Sequence, residues 1–145
     1  MTIEEKEVLK RENEEKKRYL RQYLLAKRVA EEIEEEIEEL RRLQIQPAIK
    51  YSEMPHGTNQ RDLSDYIVQE ESLINELIKA RYERIVKYKE VHGKIEMLKN
   101  EEEKRILRLR YIKDMEWEEI RKRVNYSLRR IYQIHGEALK NIILD

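Results

Sequence analysis

The chain has no cysteine, which removes disulfides and thiolate metal sites and makes a reducing compartment the default. With 3 Gly and 2 Pro among 145 residues, it also lacks the turn punctuation that an all-β fold requires. Neither sign of charge is in surplus. Lys plus Arg number 31, as do Asp plus Glu, so whole-chain charge selects neither a nucleic acid nor an acidic partner. No apolar run approaches a membrane span, and the opening MTIEEKEVLK has no signal-like apolar core, so no membrane contact and a cytoplasmic location are expected. A Gly-rich phosphate loop, a Ser/His/Asp arrangement and a cysteine nucleophile are all missing, and no enzyme is expected. The three histidines, His56, His92 and His135, stand on separate segments, which argues against a metal site or any other cofactor.

What is present is charge and aliphatic bulk. Charged residues make up 43% and the hydrophobic set 39%, with Glu, Lys, Arg, Leu and Ile dominant. That is the composition of long amphipathic helices, and the length suits one small domain or two very small ones. Apolar surface buried between long helices, rather than one compact globular core, is the expectation.

A first helical pattern covers residues 3 to about 45. Thr2 followed by Glu5 has the form of a capping box. Up to about Lys17 the only apolar anchors are Ile3, Val8 and Leu9. From there Tyr19, Tyr23, Ala26, Ala30, Ile33, Ile37 and Leu40 recur at alternating steps of four and three, a heptad seam that Leu20, Leu24 and Val29 broaden. Seven of the nine residues from Glu31 to Glu39 are Glu, a solvated acidic face. Residues 46–61 hold both prolines and Gly57 and are expected to form the one substantial loop. A second helix, capped by Asp62 or Ser64, is expected from 62 to about 99. Its apolar set is Leu63, Ile67, Ile74, Leu77, Ile78, Ile85, Tyr88, Ile95 and Leu98, with Val68, Tyr82, Val86 and Val91 alongside. Two helices of matched length joined by one loop predict an antiparallel, coiled-coil-like hairpin whose leftover apolar face pairs with a second chain.

The C-terminal stretch reads differently. Asn100 followed by Glu103 is a helix start, although nothing in EMLKNEEEKRI forbids the second helix from running straight through. A third helix to about Ile112, a turn at Lys113-Asp114-Met115 and a fourth helix from Trp117 to about Val124 follow, with Trp117 anchoring a small core. Asn125-Tyr126 is a tight turn in which Asn tolerates a left-handed backbone, and Ser127 caps a fifth helix over 127–143. In that helix Ile131, Ile134, Ala138, Leu139 and Ile142 face inward, leaving Leu128, Arg129, Arg130, Tyr132 and Gln133 on the outer side of the first two turns. This is the layout of a helix-turn-helix reader, in which Arg can hold guanine and Gln adenine. From Arg121 to His135 there are five basic residues (Arg121, Lys122, Arg123, Arg129, Arg130) and no acid, while the stretch from Asn100 to the end carries 11 basic against 9 acidic residues. The footprint is local and modest, so one copy should bind DNA weakly and with strong salt dependence.

The segment Leu107–Ile142 resembles region 4 of bacterial sigma factors. The resemblance is carried by Leu107-Arg108-Leu109-Arg110-Tyr111-Ile112, Met115, Glu119-Ile120, Ser127, Ile131, Gln133-Ile134 and Ala138-Leu139. The whole chain is similar to small phage-encoded late-transcription regulators of the ArpU and RinA type, through its helical front half, the Ser52-Glu53-Met54-Pro55-His56-Gly57 loop and Asp62-Leu63-Ser64-Asp65-Tyr66. The resemblance implies that Leu128, Arg129, Arg130, Tyr132 and Gln133 face double-stranded DNA and that Ser127 with its neighbouring amides touches phosphate. RNA polymerase is a further candidate partner. Three positions depart from the family pattern: Glu116 stands where a capping Ser or Thr is usual, Arg121 where a small residue is usual, and Asn125 where the turn Gly is usual. Nothing resembles the sigma region that melts promoter DNA, so the implied role is a regulator rather than a complete sigma factor.

The expected architecture is therefore all-α. Residues 1–99 form a helical hairpin that pairs copies into a homodimer or higher oligomer, and 100–145 form a helix-turn-helix DNA-binding domain. The expected function is a sequence-specific transcription regulator of phage or prophage origin in the cytoplasm of a bacterial host. The alternative is a coiled-coil adaptor or packaging protein whose C-terminal unit makes protein contacts only. The acid-free basic run, which an adaptor would not need, favours the regulator.

Overall fold

The computed structural model describes the backbone of residues 1–50 and 59–144 and the side chains of 1–44 and 63–144. The described residues form five helices and no strand: α1 (Ile3–Lys50), α2 (Asn59–Glu96), α3 (Glu101–Tyr111), α4 (Trp117–Val124) and α5 (Leu128–Asn141). The protein is all-α, as its composition predicts, and no described helix is long and apolar enough to cross a membrane. Several boundaries differ from expectation. α1 continues through Pro47, which forgoes one backbone hydrogen bond without ending the helix. α2 begins at Asn59, upstream of both expected caps, because Asn59-Gln60-Arg61-Asp62 contains no helix breaker. The anticipated loop thus falls largely on residues 51–58, and the Met54-Pro55-His56-Gly57 motif lies outside the described residues.

The chain divides into two compact units, residues 26–84 and residues 1–25 with 85–145. In the first, α1 and α2 run antiparallel. Arg81 binds Glu34 at 3.0 Å while Arg41 binds Glu70, so advancing along one helix means retreating along the other. Between them Ala30, Ile37 and Leu77 are buried, with Ile33, Leu73, Ile74 and Ala80 packed around them. The broad stripe expected on α2 splits. Leu77 is buried, whereas Leu63, Ile67, Val68, Ile78 and Tyr82 face solvent.

The second unit has two apolar clusters. One gathers Ile106 and Leu109 of α3, Ile120 of α4, and Ile131 and Ile134 of α5, edged by Met115, Trp117, Val124 and Tyr126. Side chains of this kind contribute roughly 1.5–3 kcal/mol each when fully buried. The other joins Leu20 of α1, Val91, Ile95 and Leu98 at the end of α2, Leu107 and Tyr111 of α3, and Ala138, Leu139 and Ile142 at the end of α5. Helices α3 and α5 therefore belong to both clusters.

Local chemistry explains the breaks. The predicted Thr2–Glu5 capping box is formed: the Glu5 amide donates to Thr2 Oγ1 at 3.2 Å and the Thr2 amide to Glu5 Oε2 at 3.1 Å. α2 does not run on into α3, because the Asn100 side chain accepts from the amides of Glu102 (2.9 Å) and Glu103 (3.1 Å) and restarts the helix. The buried Glu103 carboxylate in turn accepts from Asn141 Nδ2 at 2.9 Å. This holds the last turn of α5, which ends at Asn141 rather than 143 because Ile142 turns to extended backbone while its side chain stays in the core.

Tyr111 and His135 meet inside this unit, with Tyr111 Oη and His135 Nε2 sharing a hydrogen bond of 2.8 Å. Burial pushes the tyrosine up to about 12 and, with Lys17, Arg110 and Arg21 adding repulsion, the imidazole down to about 4. The folded protein thus holds His135 neutral, while the unfolded chain protonates it near pH 6.5. Stability from this group is complete above that pH and is lost as pH falls toward about 4. Denaturant titrations across this window should show a loss of up to roughly 3 kcal/mol from this site, and His135→Gln should flatten that part of the profile.

Candidate DNA-binding surface

The turn between α4 and α5 is set by two residues. Asn125 adopts φ 61° and ψ 40°, the left-handed conformation that Asn accepts in place of glycine, and its amide closes α4 on the Arg121 carbonyl. Ser127 is extended and its side chain accepts from the Arg130 amide at 3.1 Å, starting α5. α4 begins without such help. Glu116 makes no side-chain cap, as its departure from the family pattern implies, and the N-terminal turn instead carries Glu118 and Glu119. The turn from α3 into α4 also uses a left-handed residue, Asp114 at φ 56°, and the amides of Lys113 and Met115 return to the carbonyls of Arg108 and Leu109.

With Ile131 and Ile134 in the core, the outer side of α5 presents Arg129, Arg130, Tyr132 and Gln133 to solvent. Lys122 and Arg123 of α4 are exposed, as is Ser127, while Arg121 and Leu128 are half-buried. The cations differ in how far they are committed. Arg121 binds Glu118, which holds that carboxyl below its usual range and raises the guanidinium. Arg130 lies 3.5 Å from Glu102 and 6.0 Å over the Tyr126 ring. The Tyr126 hydroxyl donates to the same Glu102, and that bond raises its pKa. Among the described residues, Lys122, Arg123 and Arg129 make no ion pair. The uncompensated positive charge on this face is therefore theirs.

Behind α5 stands an aromatic group. Trp117 meets Tyr132 edge-to-face at 5.4 Å and His135 at 4.8 Å, and Arg110 lies 4.4 Å over the Trp117 ring while donating to the Met115 carbonyl at 3.1 Å. Tyr132 is thus half-exposed and braced at once. Sequence reading assigned Trp117 to the core but missed this brace and the Glu102–Tyr126–Arg130 contact. The three-residue step from Tyr132 to His135, opposite Trp117, was the available signal for the first. The second joins residues 24 apart and has no local signature.

Residues 100–142 match the Sigma-70, region 4 family. This covers α3, α4 and α5 with their caps, and a region 4 unit is a DNA-binding helix-turn-helix. No curated protein matches the chain, and no solved structure does. The region 4 unit contains each residue of the basic run, and its two turns depend on Asn125 and Ser127.

These turns are open to test. Ser127→Ala should lower stability by about 1 kcal/mol. Asn125→Gly should be near neutral, whereas Asn125→Val, a β-branched residue at positive φ, should cost roughly 1–2 kcal/mol. Chemical denaturation of the three variants checks the order.

Proposed function

We infer that this chain is a sequence-specific DNA-binding transcription regulator that reads a promoter-like site with the first two turns of α5. The observation that carries this is the uncommitted Arg129, beside Gln133 and facing solvent at the start of a capped helix, within a region 4 unit. Arg129 and Gln133 are the base-reading pair, and a good bidentate contact is worth roughly 1–3 kcal/mol in discrimination. Lys122, Arg123 and the half-committed Arg121 supply phosphate contacts along α4. Ser127 and the first-turn amides of α5 receive a phosphate at the helix start. Arg130 is released to DNA only by giving up Glu102, so it adds affinity late and at a cost, while Leu128 and Tyr132 give apolar contact. RNA polymerase is the second partner that a region 4 design admits. Phage or prophage origin, and with it a bacterial cytoplasm, rests on the similarity of the front half to the ArpU and RinA type. Because a single copy offers few phosphate contacts, the hairpin pairs copies so that two readers act together.

Titrating labelled duplex DNA at two salt concentrations tests this. Wild type should bind more weakly at the higher salt, Arg129→Ala/Arg130→Ala should lose roughly tenfold or more, and Glu102→Gln should bind more tightly. Absence of binding at low salt, or equal binding by the double alanine variant, removes the DNA reading.

A further inference from the structure

The hairpin unit buries only one of α2's two apolar faces. Leu63, Ile67, Ile78 and Tyr82 recur along the other, a stripe roughly 29 Å long at 1.5 Å per residue, with the half-buried Ile74, which also packs against the hairpin core, at its edge. Ile78 is 61% exposed and Tyr82 69%. The charges along this helix are not mixed. Residues 63–76 hold four acids (Asp65, Glu70, Glu71, Glu76) and no base, while residues 77–84 hold three bases (Lys79, Arg81, Arg84) against Glu83.

We propose that this face of α2 is the interface with a second copy of the chain, packed antiparallel about a twofold axis near Glu76. This deepens the pairing in the proposed function by naming its surface and direction. The occupant follows from self-complementarity. Ile74 and Ile78 lie equally far on either side of position 76, so the axis brings Ile74 of one copy against Ile78 of the other. Glu70 and Arg81 border the stripe on the same side, six residues before and five after position 76, so the same axis sets Glu70 of one copy within one residue of Arg81 of the other, twice. Each already holds a partner on its own α1, Arg41 for Glu70 and Glu34 for Arg81, so pairing joins these into four-charge networks. A parallel arrangement instead sets Glu70 against Glu70 and Arg81 against Arg81. Charge therefore chooses the antiparallel register, and the isoleucines supply the apolar area.

Sedimentation velocity on the full chain, without DNA, should show a dimer at micromolar concentration. Ile78→Asp, at a position exposed within the single chain, should raise the dimer dissociation constant at least roughly tenfold while circular dichroism keeps the helix content. The natural absence of cysteine makes a direction test available. Glu70→Cys and Arg81→Cys variants, mixed and oxidised, should give a disulfide-linked heterodimer, and neither should link to itself. A monomeric wild type, an Ile78→Asp variant that dimerises equally well, or self-linking of either cysteine variant overturns the proposal. Dimerisation without DNA binding fails the DNA reading alone, and DNA binding by a monomer fails this one alone.

Discussion

The geometry of the reader unit depends on the burial of α5 on two sides. Ile131 and Ile134 enter the cluster shared with α3 and α4, while Ala138, Leu139 and Ile142 enter the cluster built by α1, α2 and α3. A helix committed in both places has little freedom to roll, so its remaining outward strip is fixed in direction. That strip is the one bearing Arg129 and Gln133. Only three short helices carry the region 4 match, and they draw part of their core from Leu20 and Val91, far outside it. The front of the chain is thus structural support for the unit.

Charge acts on a smaller scale than the whole chain. The protein is formally neutral, and several cations of the C-terminal unit are held by a carboxylate, as Arg121 is by Glu118 and Arg108 is by Glu96. On the face formed by α4 and the start of α5, what remains is a short arc of uncommitted charge at Lys122, Arg123 and Arg129. Exposed pairs such as Arg130–Glu102 are worth little in isolation, so Glu102 tunes the surface rather than closing it. On the proposed function, affinity would depend on the number of copies brought together, which is the role proposed for the exposed stripe of α2.

Much of this was legible in the residues. The helical class, the Thr2–Glu5 box, the Asn100 and Ser127 caps and the left-handed Asn125 all follow from local chemistry acting over a few residues. The inward set of α5 follows from its period. The reading was weaker where the deciding interaction is long-range. By its spacing Leu20 only widens a stripe, yet it is completely buried, because its partners arrive from α2, α3 and α5. For His135 the sequence offers only an isolated histidine, because its hydrogen bond to Tyr111 joins residues 24 apart that no local pattern connects. The period of α1 and Pro47 together suggest an end near residue 45, whereas the helix runs on for a further turn at the loss of one hydrogen bond.

Sequence-specific reading by α5 is the central claim, and selection of bound duplexes from a random DNA pool by the full-length protein measures it most directly. The account predicts one enriched motif whose base preferences shift when Gln133 or Arg129 is replaced by alanine. A pool that emerges without enrichment, or a motif unchanged by both substitutions, would contradict it.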